Sequence, residues 1–327
     1  MRSAGWVLAI ASLLFVGAAV PAPTPAAAPS SPAVIPPSPR TWTRSYYVAN
    51  ASASAMSQLG CANTDTSGRM TLFFGAPTAV GNTYGATLWG GANRTVPQIG
   101  ELIKDFVRGY AWCRRDSRRQ ALVGMGTSNS GLDTKADAWI AGHGGTWANV
   151  VRSVSEWVNR TYPGIAQVYG AWDAEPSWSA YRKADMWMQG YNGYPGNRPV
   201  HAHFSADGCP RDSANGGGCS NGWSQHGIWR LSWWYDPALP MPQIYATSGV
   251  NARQWQKIDE YGARHHNDGM VFGGLMTQHR ACQQKSGCKG ISNLPHQGHD
   301  QLLSTLNANQ LTRQPYLETV TDISWHS

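Results

Sequence analysis

Two carboxylates stand two residues apart among aromatic rings in the stretch YGAWDAEPSW, which runs from Tyr169 to Trp178. The apolar run before them is typical of a buried strand, and Pro176 ends it because proline cannot donate a hydrogen bond within a central strand. Side chains two residues apart on a strand share one face, so Asp173 and Glu175 are expected to point the same way. Close carboxyl groups in a partly dry site repel each other, and one of them then stays protonated to higher pH. This pattern is typical of glycoside hydrolysis, which needs a protonated acid at the leaving oxygen and a second carboxylate.

The two carboxylates are expected to have different roles. Glu175 lies nearer the end of the strand and has the longer side chain, so it is predicted to be the general acid. Asp173 is predicted to orient the substrate or to stabilise a charged intermediate, as in substrate-assisted hydrolysis of 2-acetamido sugars. The alternative is that both groups only stabilise the N-terminus of the following helix through its dipole.

A third carboxylate, Asp207, ends another predicted strand in HAHFSADG. In a barrel of alternating strands and helices, reactive groups gather where the strands end and the following loops begin. Asp207 is therefore predicted to join Asp173 and Glu175 as a third catalytic carboxylate. The alternative is an ordinary turn aspartate before Gly208.

Side chains at the ends of predicted strands are also candidates for sugar contacts. Aromatic faces stack on the apolar face of a sugar ring, and amides bond to its hydroxyl groups. The predicted substrate-binding residues are Trp178, Trp233, Tyr245, Asn129 and Gln278. Most of the remaining Trp and Tyr side chains are predicted to lie in the core.

The elements that position these residues alternate between short apolar runs and segments of helical periodicity, as in βα units around a parallel sheet. Strands are predicted in RMTLFFGAP, QALVGMGTSNSG, IAQVYGAWDAE, PVHAHFSAD, GIWRLSWW, PQIYA and GMVFGGLMTQ. Helices are predicted in VPQIGELIKDFVRGYAWCRR, TWANVVRSVSEWVNRTY, SAYRKADMWMQGYNGY and HDQLLSTLNAN. This order favours an α/β fold, a single (β/α)8-type TIM barrel of somewhat irregular form. A doubly wound open sheet is the alternative, and no G-x-G-x-x-G loop supports it.

The stretch AWDAEPSW resembles the D-x-E strand of barrel glycoside hydrolases, notably the family 25 lysozyme-type muramidases and, more distantly, the family 18 chitinases. The run from GAWDAEPSWS through SWWYDPALPMPQIYATSGVNARQWQKIDEYG to GGLMTQHRACQQKSGCKGISNLPHQG is similar to exported actinobacterial proteins of unassigned activity with a glycosidase-like barrel. The resemblance implies the barrel and the exported compartment for most of the chain. The sequence departs from family 25 because RMTLFFGAP, taken as the first barrel strand, carries no acidic residue. The aspartates that precede the D-x-E in family 18 are also missing.

The N-terminal residues predict export. Arg2 is followed by an apolar run from Trp6 to Val20, which is shorter than a comfortable membrane span and precedes Ala- and Pro-rich sequence. We predict a signal peptide over 1–28, with several residues that fit its cleavage site, and a Pro-rich linker over 29–40. The glycoside-hydrolase-like barrel is predicted over 41–327. The protein is therefore expected to be extracellular, either free or associated with the cell wall.

The six cysteines are an even number in a chain predicted to be exported, which favours disulfides over metal ligation. Fifteen pairings of six cysteines are possible. Close spacing favours Cys209 with Cys219 and Cys282 with Cys288 as loop staples, leaving Cys61 with Cys113.

Other chemistries find less support in the sequence. His201 and His203 form an H-x-H that can bind zinc on a strand, but a third ligand is not evident, so packed histidines are favoured and neither a metal nor a cofactor is predicted. The absence of a G-x-S-x-G motif argues against a serine esterase.

The charge balance also bears on the partner. The chain has a formal net charge of +7 and a low total content of charged residues. Its densest basic segment, Arg114 to Arg119, is interrupted by Asp116 and is typical of a solvated helix end. We expect a polysaccharide or cell-wall glycan as partner, no nucleic acid, no membrane once the signal is removed, and a monomer. The mild positive field favours anionic surfaces such as cell-wall polymers.

Overall fold

The computed structural model describes residues 38–39, 41–116, 118–236 and 238–326. The predicted signal peptide over 1–28 lies outside the described residues, as does the predicted linker over 29–40 apart from Ser38 and Pro39.

Eight parallel strands form a nearly closed barrel. In barrel order they are β1 (Thr41–Val48), β2 (Gly68–Phe73), β6 (Ala121–Ser128), β7 (Ala166–Asp173), β8 (Val200–Ala202), β9 (Ala238–Pro240), β10 (Gly274–Thr277) and β11 (Thr319–His326). The last strand pairs with the first over its whole length, from Thr41 opposite Thr319 to Val48 opposite His326. The seam between β9 and β10 is closed by hydrogen bonds that Gly273 N donates to Pro240 O (3.0 Å) and Ile244 N donates to Met276 O (2.9 Å). The predicted TIM barrel is confirmed.

Helices cover the outside of the barrel. They are α1 (Ala53–Cys61), α2 (Val96–Cys113), α3 (Asp137–Thr161), α4 (Tyr181–Asn192), α5 (Gln225–Trp229), α6 (Val250–His266), α7 (His279–Gln284) and α8 (Pro295–Asn307). Between β2 and α2 the chain forms a small antiparallel sheet of β3 (Ala76–Val80), β4 (Thr83–Thr87) and β5 (Asn93–Thr95). The main apolar core lies between the barrel and these helices. Among the described residues, no helix is long and apolar enough to span a membrane.

The prediction of a strand in GIWRLSWW is wrong. This segment forms α5 and a π-helical turn over Arg230–Trp234. Ser224 caps its start, since the Ser224 hydroxyl accepts from Gly227 N at 3.1 Å. The buried side chains Ile228, Leu231 and Ser232 recur at helical spacing, and the aromatic content of the segment concealed that period.

Two other predicted strands, RMTLFFGAP and PQIYA, also need correction, and two barrel strands were not predicted. RMTLFFGAP is the second barrel strand, because β1 precedes it and was not predicted, nor was β11 at the end of the chain. The run PQIYA forms only an isolated bridge between Gln243 and Met276, and the regular strand β9 lies just before it.

Helix α3 begins earlier than the predicted TWANVVRSVSEWVNRTY because its Gly-rich first half packs tightly on α4. A Cβ at Gly144 would lie 2.2 Å from Trp187 O, and one at Gly190 would lie 2.0 Å from Ala141 O. Glycine therefore allows the two helix backbones to approach closely here, although it lowers helix propensity.

Small polar side chains occupy much of the barrel interior. The Ser45 and Thr321 hydroxyls lie 2.7 Å apart, and Ser45 also accepts from Thr71 N at 2.9 Å. The Thr71 hydroxyl in turn lies 3.0 Å from His203 Nε2. These hydrogen bonds satisfy polar groups that would otherwise be costly to bury.

The cysteines form three disulfides, as predicted: Cys61–Cys113, Cys209–Cys219 and Cys282–Cys288. Disulfides indicate that the domain folds and persists in a non-reducing environment.

Candidate active site

Asp173 is the last residue of β7 and points into the mouth of the barrel. Its register partner is Ser128, the last residue of β6. Alternation along β7 turns Trp172 outward, where its ring stacks on Trp187 of α4 at 4.5 Å. Asp173 is fully buried, with Ala171 below it in the barrel interior. This end of the barrel is where the strands terminate and the loops that follow them begin, the usual place for a site in this fold.

Asn129 fixes the position of Glu175 by holding its backbone. The Asn129 Nδ2 donates to Glu175 O at 2.9 Å, and the Asn129 Oδ1 accepts from Glu175 N at 3.0 Å. Asn129 is itself fully buried, and its carbonyl accepts from the Ser179 hydroxyl at 2.7 Å. Both polar atoms of its amide are bonded to the backbone of Glu175, and its role as a sugar contact stays a prediction.

Gln243 holds Asp173 from the opposite side. Its Nε2 donates to Asp173 Oδ1 at 2.7 Å and also to His203 O at 3.2 Å. The second oxygen of Asp173, Oδ2, is buried without a hydrogen-bond partner among the described residues. Gln243 was not predicted from the sequence, although it stands two residues before Tyr245 and its side chain points to the same face of the chain.

Burial and neighbouring negative charge raise the pKa of both carboxyl groups. Burial, then the charge of Glu175, raises the pKa of Asp173 well above its ordinary value, and the hydrogen bond from Gln243 opposes this increase. Burial and then the charge of Asp207 raise the pKa of Glu175 to about 7, and hydrogen bonds from Gln243 and Ser177 partly offset them. The pair therefore retains a proton near neutral pH, when isolated carboxyl groups would have lost theirs.

Asp207 lies close enough to Glu175 for its charge to raise the pKa of that group. Its loop is folded back by the Cys209–Cys219 disulfide and by a hydrogen bond from Ser220 N to Asp207 O at 2.9 Å. Gly208 has a φ of +71°, and a Cβ there would lie 2.8 Å from Ser220 N. The structure thus brings all three predicted carboxylates, Asp173, Glu175 and Asp207, to one end of the barrel.

Two tyrosines complete the polar part of the mouth. Tyr47, near the end of β1, and Tyr245, after β9, both have pKa values raised well above the usual range, first by burial and then by nearby charge that includes Asp173 and Glu175. The Tyr245 hydroxyl approaches that of Tyr47 without the geometry of a normal hydrogen bond. Both phenols stay protonated at neutral pH. Tyr47 was missed because β1 was missed.

Aromatic rings form one wall of the mouth. The Tyr47 ring lies 4.9 Å from those of both Trp89 and Trp325, and Trp89 lies 6.2 Å from Trp178. Trp178, a predicted substrate-binding residue, is only partly buried and belongs to this wall.

Of the two remaining predicted contacts, Trp233 lies away from the mouth and Gln278 lies at the mouth end with its amide bonded to a loop. Trp233 lies in the helical segment before β9, at the opposite end of the barrel, and its Nε1 donates to Asp268 Oδ1 at 3.0 Å. Trp233 was predicted to lie near a strand end, and this is wrong because GIWRLSWW forms no strand. Gln278 does follow β10 at the mouth end, but its Nε2 donates to Ile291 O at 3.0 Å and so ties down the loop after α7.

The H-x-H histidines lie inside the barrel. Burial lowers the pKa of His203 to about 3, and burial, Arg69 and His203 lower that of His201 well below its ordinary value, so both rings are neutral. Across the part of the chain that the structure describes, no group of three His, Cys, Asp or Glu side chains is arranged to hold a metal ion.

Comparison with known proteins adds little to this geometry. No family model and no curated protein matches the chain. Among solved structures it is similar to the apo form of the homocysteine methyltransferase MmuM from Escherichia coli, with 8% identity and a TM-score of 0.26 over 61% of this chain and 74% of that one. The class of the protein is therefore given by its fold, an eight-stranded parallel α/β barrel with a carboxylate cluster at its mouth.

Proposed function

We propose that this protein hydrolyses glycosidic bonds, with Glu175 as general acid and Asp173 as its partner. The observation that carries the proposal is the pair of neighbouring carboxylates at the mouth, one buried and one partly buried, whose pKa values are raised and each of which is held by a dedicated amide side chain. Asn129 fixes the backbone of Glu175, and Gln243 binds one oxygen of Asp173. Dedicated support of this kind is typical of catalytic groups that must keep one geometry.

In the proposed reaction Glu175 gives its proton to the glycosidic oxygen while the bond from that oxygen to C1 breaks. Glu175 is the more exposed of the two acids, so it is the one that reaches the leaving group. A 2-acetamido group on the substrate donates its N–H to the open Oδ2 of Asp173, and its carbonyl oxygen forms a bond to C1. Water then adds to C1 while the bond between C1 and the acetamido oxygen breaks, and the water gives one proton to the Glu175 carboxylate, which restores the acid.

The aromatic wall of Tyr47, Trp89, Trp178 and Trp325 supports a carbohydrate substrate, since ring faces stack on sugars. The D-x-E motif that resembles family 25 muramidases suggests a cell-wall or other microbial polysaccharide. The predicted signal peptide and the three disulfides support secretion as the route to that substrate.

The test is release of reducing ends from a panel of polysaccharides that includes peptidoglycan. Wild type is expected to act on at least one, and Glu175→Gln to lose at least about a hundred-fold in rate, because general acid catalysis contributes roughly that much. Glu101→Gln, on the exposed face of α2, is the matched control and should keep full activity. Equal activity of wild type and Glu175→Gln would contradict the proposal.

A second candidate is a carbohydrate-binding barrel without catalysis. It is favoured by Tyr47, which occupies the end of the first barrel strand where a lysozyme-type enzyme would place an acid. Binding to insoluble cell wall without any release of reducing ends would select this alternative.

A further inference from the structure

The end of the barrel opposite the carboxylates collects the exposed apolar side chains. Among the described residues, the exposed large apolar side chains are Trp42 (43%), Trp112 (90%), Trp234 (54%), Val271 (60%), Ile291 (45%) and Leu311 (50%). All except Ile291 lie within or just before a barrel strand, at its N-terminal side. Because all eight strands are parallel, those five side chains share one end of the molecule, which we call the N-terminal face.

The five side chains extend around much of this face. In barrel order Trp234 precedes β9, Val271 precedes β10, Leu311 precedes β11, and Trp42 is in β1. Trp112 follows two strands later, before β6. Val271 and Leu311 border one recess of about 400 Å³, and Trp112 borders a separate one of about 690 Å³. Apolar groups spread over separate loops fit a flat partner better than a ligand bound in a single groove.

The same face is rich in arginine. Its arginines are Arg44, Arg69, Arg114, Arg115, Arg118, Arg119, Arg160, Arg198, Arg230, Arg264 and Arg313. Its acidic residues are Asp65, Asp116, Asp236, Asp259, Asp268 and Glu318, and Asp185 and Glu260 pair with Arg230 and Arg264. Several arginines are paired with carboxylates, but Arg115, Arg160 and Arg313 are exposed and form no ion pair with any described residue. The face therefore carries uncompensated positive charge beside its tryptophans.

We propose that the N-terminal face docks on an anionic lipid membrane, which revises the expectation of no membrane partner once the signal is removed. Guanidinium groups bind lipid phosphates, while tryptophan is suited to the boundary between headgroups and acyl chains. A bilayer also has the flat geometry that the distribution of the exposed side chains requires. The carboxylate mouth at the other end would then face away from the membrane.

The experiment measures hydrogen exchange of the full chain with vesicles of phosphatidylcholine alone and of phosphatidylcholine mixed with phosphatidylglycerol. With the anionic vesicles, we expect slower exchange at 41–44, 111–116, 230–236, 268–273 and 309–316. The loops at the mouth, such as 129–136 and 174–180, should be unchanged. This readout locates the contact even if residues 1–40 also bind lipid. Slowing absent from these segments, or confined to the mouth, would overturn the proposal.

Matched variants test the chemistry of the contact by co-sedimentation with the same vesicles. Trp112→Ser and the double variant Arg115→Glu, Arg313→Glu should each weaken binding to anionic vesicles, the second by at least about ten-fold. The controls Ile291→Ser and Arg182→Glu change exposed residues of the same kinds outside this face and should bind as wild type does. If soluble polyphosphate is bound as tightly as the vesicles and Trp112→Ser has no effect, the face only attracts polyanions and the membrane assignment is wrong.

Discussion

Asn129 and Glu175 form a two-point contact in which one side-chain amide satisfies both backbone polar groups of the candidate acid, at 2.9 and 3.0 Å. Asn129 follows β6 and Glu175 follows β7, so the contact joins the ends of two neighbouring strands. The position of the Glu175 carboxyl group therefore depends on a residue that need not touch the substrate.

Asn129→Ala should lower both stability and catalysis. Losing two hydrogen bonds to buried backbone groups costs roughly 2 kcal/mol of unfolding free energy. If Glu175 is the acid, kcat should fall more than KM rises, and the pH profile should shift because Glu175 is displaced. The comparison is Asn63→Ala, where a buried Asn far from the mouth donates to Leu59 O at 2.8 Å and accepts from the Tyr46 hydroxyl. Asn63→Ala is expected to lose a similar amount of stability with no change in the pH profile of activity. If Asn129→Ala also leaves the pH profile unchanged, Asn129 does not position Glu175.

Gln243→Met should raise the pKa of both carboxyl groups. The Gln243 amide stabilises the charged form of Asp173 and of Glu175, so its removal favours protonation. A hydrogen bond to a charged group is worth about 1.5 kcal/mol, which corresponds to roughly one pKa unit. Carboxyl carbon NMR titration measures the shift. Gln314→Met, which removes a buried Gln bonded to backbone at the N-terminal face, should leave both pKa values unchanged.

Asp207→Asn should lower the pKa of Glu175. The negative charge of Asp207 raises that pKa, so a neutral isostere removes the repulsion and moves the value down by roughly half a unit. The matched control is Asp212→Asn in the same disulfide-closed loop, where the side chain is 87% exposed. If the pKa of Glu175 is the same in both variants, Asp207 is not part of the carboxylate cluster.

The stability of Glu175→Gln should depend on pH in a defined direction. Folding raises the pKa of Glu175 from an ordinary 4.5 to about 7, so the native state binds more protons than the unfolded state between these values. Wild-type stability therefore falls as the pH rises through this window, and the contribution of Glu175 to this fall is absent from the variant. Between about pH 4 and pH 8 the variant should gain roughly 2 to 3 kcal/mol relative to wild type. Denaturant unfolding at both pH values measures the difference, and a constant offset would contradict the raised pKa.

The sequence predicts β7 and its carboxylates well because alternation on a strand is a local property. An apolar run stopped by Pro176 suffices to place Asp173 inward and Trp172 outward. The prediction of the disulfides also succeeds, because short loops limit the pairing. In contrast, β1 and β11 were missed because their inward residues are Ser and Thr, such as Ser45 and Thr321, which face a polar barrel interior rather than an apolar core.

The supporting residues of the site could not be predicted for a different reason. Gln243 and Tyr47 reach the carboxylates only after the barrel has closed, and their contacts with Asp173 and Glu175 join distant parts of the chain. Asn129 was predicted as a polar residue at the end of a strand. Its hydrogen bonds are to the backbone of Glu175, and a backbone partner leaves no pattern in the sequence. The error at Trp233 has a local cause, since its aromatic-rich segment has helical spacing that was interpreted as a strand.

The central claim is tested most directly by digesting peptidoglycan glycan strands in water enriched in heavy oxygen and weighing the fragments. Hydrolysis places one solvent oxygen on C1 of each new reducing end. Wild type is expected to release fragments that carry one heavy oxygen, Glu101→Gln to match it, and Glu175→Gln to release almost none. Labelled fragments from Glu175→Gln at the wild-type rate, or bound but uncut strands with wild type, would contradict the account.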